Sequence, residues 1–271
     1  MEFLQQLLKV LDTSMEVPGM YGWFHLLSFG ITIALAVLLP LYYRKRSYDS
    51  LRRMVLGVAI AVTVLEVYKQ INYSFGYEDG ITFDYRWYAF PWQFCSTPMY
   101  VGLLAGIIKK GKVHDALCAY LATFAIFAGL AVMLYPGDIY TETVGINFQT
   151  TVCHGSMLVI GGYLYASGHV KLEHKTILKA LPVFCATATV AVILNEWAFA
   201  VGIVPEHNFN MFYFSQYGTS NLPVYNVVHA AVPYPWSLII YIVGFTFVAW
   251  LMLLIAMGVD KLAKKKTKVA A

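Results

Sequence analysis

Cys95 and His154 are the two residues of this sequence whose types could together carry nucleophilic chemistry. A thiol attacks as its thiolate, and a neighbouring imidazole is the base that takes its proton. Cys95 belongs to the stretch Phe90-Pro91-Trp92-Gln93-Phe94-Cys95-Ser96-Thr97-Pro98-Met99-Tyr100, which reads as the opening of an apolar helix. Pro91 suits the first helical turn, where its missing amide proton would have no partner anyway. The thiol then sits near the positive end of the helix dipole. Glu66, Lys69, Gln93, His25, Asn195, Glu196, Asn210 and His229 are the polar residues that could support the pair. Glu66 and Lys69 are three residues apart, the spacing of an ion pair on one helix face. Glu66 or Glu196 is a candidate to orient the histidine, and Gln93 with the amides of its turn to hold a developing oxyanion. Cys153 adjoins His154 but projects about 100° round a helix from it. A Cys95–Cys153 disulfide is the competing reading of the cysteine. Cys118 and Cys185 stand among apolar neighbours and read as small hydrophobes. The four cysteines lack paired metal-ligand spacing, so no metal, cofactor or disulfide framework is implied.

Composition says what scaffold must position these residues. Of 271 residues, 59% are hydrophobic and 13% charged, whereas a soluble domain carries about 25% charged residues. The charges gather in clusters between long apolar runs, so the chain reads as an all-α polytopic membrane protein with no nucleic-acid partner. About 20 apolar residues cross the hydrocarbon core. Seven stretches are expected to do so: 21–43, 54–74, 91–108, 115–135, 148–168, 177–202 and 235–258. Continuous apolar runs without alternation exclude a closed barrel.

Loop charges give an orientation. The odd-numbered connections and the tail are basic: Arg44, Lys45, Arg46, Arg52 and Arg53, then Lys109, Lys110 and Lys112, then Lys171, Lys175 and Lys179, then Lys261, Lys264, Lys265, Lys266 and Lys268. The even-numbered ones carry Glu78, Asp79 and Asp84 beside Arg86, then Asp138 and Glu142, then Glu206. The positive-inside rule predicts an outer N-terminus and a cytoplasmic C-terminus in a multi-pass cell-membrane protein. Residues 1–20 lack the build of a cleavable signal peptide. Phe3, Leu4, Leu7, Leu8 and Leu11 instead recur at helical spacing, as in an amphipathic helix on the membrane surface. The expected organisation is thus an interfacial segment over 1–20, a seven-helix domain over 21–258 and a basic tail over 259–271.

With that orientation, His25, Glu66, Lys69, Gln93, Cys95, Gln149, His154, Asn195 and Glu196 fall in one layer of the outer third of the membrane. At 1.5 Å per residue, Cys95 and His154 lie about 6 and 9 Å below the outer helix starts. Ionisable residues within membrane helices face a bundle interior or a wet cavity, so the layer predicts an outward-facing polar chamber. The long connection 203–234 is expected to cover it, because Asn208-Phe209-Asn210-Met211-Phe212-Tyr213-Phe214 is too aromatic for a solvated loop.

At these residues the chain resembles the YwaF family of bacterial integral membrane proteins, whose eukaryotic relatives are acyltransferases of ether phospholipids. The likeness lies in Pro91-x-Gln93-x-Cys95, Tyr135-Pro136-Gly137, His154-Gly155, Asn208-x-Asn210-Met211 and Pro233-x-Pro235-Trp236. It departs at Gln93, often a histidine in such proteins, and in the aromatic segment after Asn210. The resemblance implies a seven-helix fold and acyl transfer, with the family's cysteine nucleophile at Cys95 and its histidine at His154. An outward site, where acyl-CoA is scarce, makes the expected reaction a CoA-independent exchange between membrane phospholipids and lysophospholipids. The alternative use of the same layer is solute binding in a transporter or permease component. The lack of evident repeats and paired broken helices weighs against it.

Overall fold

A computed structural model describes residues 2–43, 47–137, 139–204 and 207–269, with the backbone alone over 263–269. Arg44, Lys45, Arg46, Asp138 and Glu206, which contributed to the expected orientation, lie outside the described residues. The helices are α1 Glu2–Leu11, α2 Trp23–Tyr43, α3 Tyr48–Ser74, α4 Thr97–Ile107, α5 Lys112–Ala122, α6 Phe124–Leu134, α7 Val144–Ala166, α8 Lys175–Ala200, α9 Tyr225–Ala231 and α10 Trp236–Val269. A two-stranded antiparallel ribbon, Phe75–Gly76 with Thr82–Phe83, follows α3.

Among the described residues, five segments are long and apolar enough to cross a membrane: Trp23–Tyr42, Tyr48–Ser74, Lys112–Leu134, Lys175–Ala200 and Trp236–Leu262. The other two expected spans differ for separate reasons. Thr97–Ile107 is apolar but has only 11 residues. Val144–Ala166 has 23 residues, but Asn147, Gln149, Thr150 and His154 on its buried faces lower its hydropathy.

Sequence explains the helix ends. Ser47 caps α3, its hydroxyl accepting from the Ser50 amide at 3.3 Å, and Asp49 adds a carboxylate to the positive first turn. The Lys112–Leu134 span is broken at Thr123, whose φ and ψ are −125° and −79°. Its hydroxyl donates back to the Ala119 carbonyl at 2.7 Å, an i−4 bond that competes with the helix ladder. Pro91 does not open α4. The helix starts six residues later at Thr97, with Pro98 in its first turn.

The two ends of the bundle are tied differently. At one end, the segment after α1 is strapped across the mouth. The Asp12 carboxylate accepts from Asn72 at 3.1 Å, from the Tyr77 hydroxyl at 3.0 Å and from the Thr143 hydroxyl at 2.9 Å. The bond to Asp12 also raises the Tyr77 phenol above its usual pKa range. Tyr68 donates to the Leu11 carbonyl at 2.6 Å, and Ser14 bridges Thr143. In α1, Leu8 is buried, while Phe3, Leu4, Leu7 and Val10 are exposed. At the other end, the start of α3 meets the α4–α5 and α7–α8 connections. Arg52 donates to the carbonyls of Gly106 and Ile107 at 3.0 and 2.9 Å, capping the negative end of α4.

Candidate functional site

Cys95 occupies a tight turn rather than a helix. The Gln93 carbonyl accepts from the amides of Ser96 at 2.8 Å and Thr97 at 3.2 Å, so the thiol stands two residues before α4. The residues around it hold the turn in place. Phe94 packs its ring 5.2–6.0 Å from those of Phe127, Phe184, Phe212 and Phe245. Trp92 donates to the Thr187 carbonyl at 3.1 Å, and Tyr100 to that of Pro91 at 2.9 Å. Thr97 Oγ1 donates to the Phe94 carbonyl at 2.9 Å and lies 2.6 Å from the Tyr120 hydroxyl.

His154 lies on α7, buried. Its Nδ1 meets the Thr150 carbonyl at 2.7 Å, and a carbonyl accepts only, so Nδ1 carries the proton. Nε2 is left with its lone pair, buried and without a hydrogen-bond partner among the described residues. The orienting group is therefore the carbonyl one helical turn back. Neither expected carboxylate does this. Glu196 is exposed and accepts from Gln216 at 2.9 Å and from Tyr217 at 2.6 Å. Glu66 forms the ion pair that its spacing predicted, 2.8 Å from Lys69. Glu66 also accepts from Gln70 at 2.8 Å and from Gln149 of α7 at 3.3 Å. The Lys69 ammonium lies within electrostatic reach of Cys95, Cys153 and His154. Cys153 turns its Sγ to the Cys95 carbonyl oxygen at 3.8 Å, so α7 touches the Cys95 turn at the level of His154. All four cysteines are free thiols in the structure, and Cys153 meets the carbonyl of Cys95.

The aromatic segment Phe209–Phe214 enters the bundle as a plug. Phe209, Met211, Phe212 and Phe214 are no more than 1% exposed. Side-chain amides hold it. Gln93 donates to the Asn210 carbonyl and accepts from the Phe212 amide, both at 2.9 Å. Asn195 does the same with Met211, at 3.0 and 2.7 Å. Asn210 donates to the Thr219 carbonyl and accepts from the Ser215 amide, both at 2.9 Å. Asn208, Phe212 and Tyr213 adopt φ of +50°, +60° and +57°, costly for residues with a Cβ and sustained by this pinning. Gln93 is thus a staple of the plug, not a donor waiting for an oxyanion. The expected open chamber is a filled polar layer. Beside it, between α3, α4 and α7, is an apolar crevice of about 20 Å³ bounded by Val62, Pro98, Met99, Cys153 and Met157.

Two expected members stand apart. His25 accepts from the Tyr21 amide at 3.0 Å and donates to the Met133 carbonyl at 2.9 Å, which satisfies both ring nitrogens and pins α2 to the end of α6. His229 bonds the Ser215 carbonyl at 2.9 Å, securing α9 to the chain beyond the plug. Gln70 and Thr150 were not singled out from sequence. Each lies four residues from a member of the layer, Glu66 and His154, and that helical spacing was the available signal.

Gly129 lets α6 approach α7 beside His154. A Cβ there would fall 2.5 Å from the His154 carbonyl oxygen and 2.9 Å from the Met157 Cβ. Gly129→Ala is expected to cost about 1–3 kcal/mol through overpacking, read as a lower unfolding midpoint in detergent. Gly57→Ala, with open space around its Cβ, should not lower it.

Comparison with family models matches residues 20–256 to the TMEM164 family. No curated protein and no solved structure matches the chain.

Proposed function

The chain belongs to the TMEM164 family, a family of membrane proteins, and from that premise we propose that it is a lipid acyltransferase with Cys95 as nucleophile and His154 as base. The observation that carries this reading is the unpartnered, buried Nε2 of His154, fixed as an acceptor by the bond at Nδ1. A buried imidazole nitrogen left without a partner has a stability cost, and readiness to take a proton is a role that accounts for its retention.

In the proposed cycle the Cys95 sulfur bonds to the acyl carbon of a phospholipid ester, and the ester C–O bond breaks. The thiol proton passes to His154 Nε2 and then to the departing oxygen, giving a lysophospholipid and a Cys95 thioester. The hydroxyl of an acceptor lysolipid next gives its proton to Nε2 and attacks the thioester. The new ester leaves, and the sulfur recovers the proton. The Cys95 amide and the Ser96 hydroxyl are the donors proposed to hold the developing oxyanion, and the Lys69 ammonium adds a positive field. The crevice beside Cys153 is the proposed acyl entrance, its methionine walls being adaptable. The plug is the element that yields to admit a chain.

In the same proposal the segment 91–107 and α7 complete seven crossings, their polar faces being covered by the five apolar spans. The N-terminus is outside, and the connections that meet beside Arg52 and Lys110 are cytoplasmic. The layer then faces the outer leaflet, and donor and acceptor are both bilayer lipids. Reconstitution of the full chain with acyl-labelled phospholipid and unlabelled lysolipid, without CoA, tests this. Label should move to the lysolipid; strict dependence on acyl-CoA would exclude the CoA-independent route.

A further inference from the structure

At the end of the bundle away from Cys95, the start of α3, the start of α5 with the residues before it, and the turn after α7 line a second pocket, of about 240 Å³. It is far larger than the roughly 30 Å³ share of one water. Tyr48, Lys110, His114, Ser167 and His169 line it, with Asp115 among them. We propose that this pocket binds a phosphate group, carried by a lipid of the adjacent leaflet or free in solution.

The donor chemistry carries the assignment. Lys110 supplies a fixed positive charge. The Tyr48 hydroxyl is buried and has no hydrogen-bond partner among the described residues, although a phenol can donate one. Its ring stands between the imidazoles of His114 and His169, at 5.1 and 6.1 Å. The Arg52 guanidinium is 5.9 Å from the same ring centre. His169 Nδ1 lies 2.9 Å from the Ser167 hydroxyl, which also lies 3.3 Å from the Leu164 carbonyl. A protonated His169 would add a donor and a charge. A polar pocket with a lysine, two imidazoles and an unsatisfied phenol matches an oxyanion with several acceptor atoms.

The remaining charged and titratable groups set the pH dependence. Asp115, more than half exposed, lies 3.8 Å from His114 Nδ1, and Asp49 pairs with Arg52 at 3.5 Å. Both carboxylates oppose an anion. Cys118 places its Sγ 3.6 Å from His114 and contributes no charge as a thiol. Burial holds His169 below the usual imidazole range, and Lys110 lowers it further. An anion reverses that preference, so binding takes up a proton at His169; phosphate itself also protonates in this range, so proton uptake and not affinity reads the imidazole.

The test is titration calorimetry of the full chain in phosphatidylcholine nanodiscs, with inorganic phosphate and, separately, dihexanoyl phosphatidate. Wild type should saturate with at least one probe, and at pH 7.5 the binding heat should vary with the ionisation enthalpy of the buffer, as uptake of a proton requires. Lys110→Ala and His169→Gln should each weaken binding by roughly tenfold. Lys110 is exposed, so its variant keeps the fold whether or not the histidine variant does. Tighter binding of the phosphatidate identifies a lipid headgroup, whereas equal affinity identifies free phosphate. Saturation by neither probe, or variants that bind like wild type, would overturn the proposal.

Discussion

Cys95→Ala is expected to abolish acyl transfer while leaving helix content and the unfolding midpoint near wild type. The thiol is one edge of a turn held by other groups: the Gln93 carbonyl, the Phe94 ring and the Trp92 indole. Removing the sulfur leaves them in place and takes away the only atom that forms the covalent bond in the proposed cycle. His154→Asn should act on the same step through the base. Its expected loss is roughly 10²- to 10⁴-fold, the range of a positioned general base. The two losses should not add in the double variant, because both residues serve one proton-coupled attack. Cys153→Ala is the matched control. Its sulfur approaches the Cys95 carbonyl and borders the proposed acyl entrance but forms no bond to substrate, so its variant should lose far less than Cys95→Ala. These rates are measured with labelled phospholipid in reconstituted vesicles. Equal impairment in Cys153→Ala and Cys95→Ala would point to packing at the α7 contact instead of a nucleophile.

The second large effect is on stability. Glu66→Ala strips the partner from Lys69 at 2.8 Å and from the amides of Gln70 and Gln149. Lys69 is mostly buried, 16% exposed at its side chain. Breaking a buried pair by removing one member costs roughly 3–5 kcal/mol, because the other charge stays behind. For a chain of this size that corresponds to a fall of roughly ten degrees in the unfolding midpoint. Replacing both residues by leucine should recover most of the loss, since the pair's attraction and its desolvation nearly cancel. Thermal unfolding of the single and double variants in one detergent measures this. A Glu66→Ala midpoint equal to wild type would mean that Lys69 finds water or another acceptor on losing its partner.

What the sequence made legible was local or compositional. The Glu66–Lys69 pair follows from a three-residue spacing on one helix, and the long apolar helices follow from hydropathy. The aromatic run after Asn208 was too apolar to be a solvated loop, and it is a plug. Long-range pairings were not legible. Pro91 and Pro98 each carry the signal of a helix start, and the choice between them depends on Trp92 reaching Thr187, 95 residues away. Gln93 looked free to meet a substrate because its partners, Asn210 and Phe212, lie over a hundred residues further on. Depth alone put His25 and Glu196 with Cys95. Their directions round the helix axis were set by the Met133 carbonyl and by Tyr217. The α7 helix hid its polarity for a related reason: its polar residues face protein, so hydropathy understates its place in the bundle.

The central claim is a thioester at Cys95, and intact mass spectrometry of the protein purified with native lipid tests it most directly. The wild type should carry a hydroxylamine-labile acyl mass that disappears when lysolipid is added and returns with phospholipid, and Cys95→Ala should carry none. An acyl mass that persists through lysolipid addition, or transfer activity that survives Cys95→Ala, would contradict the account.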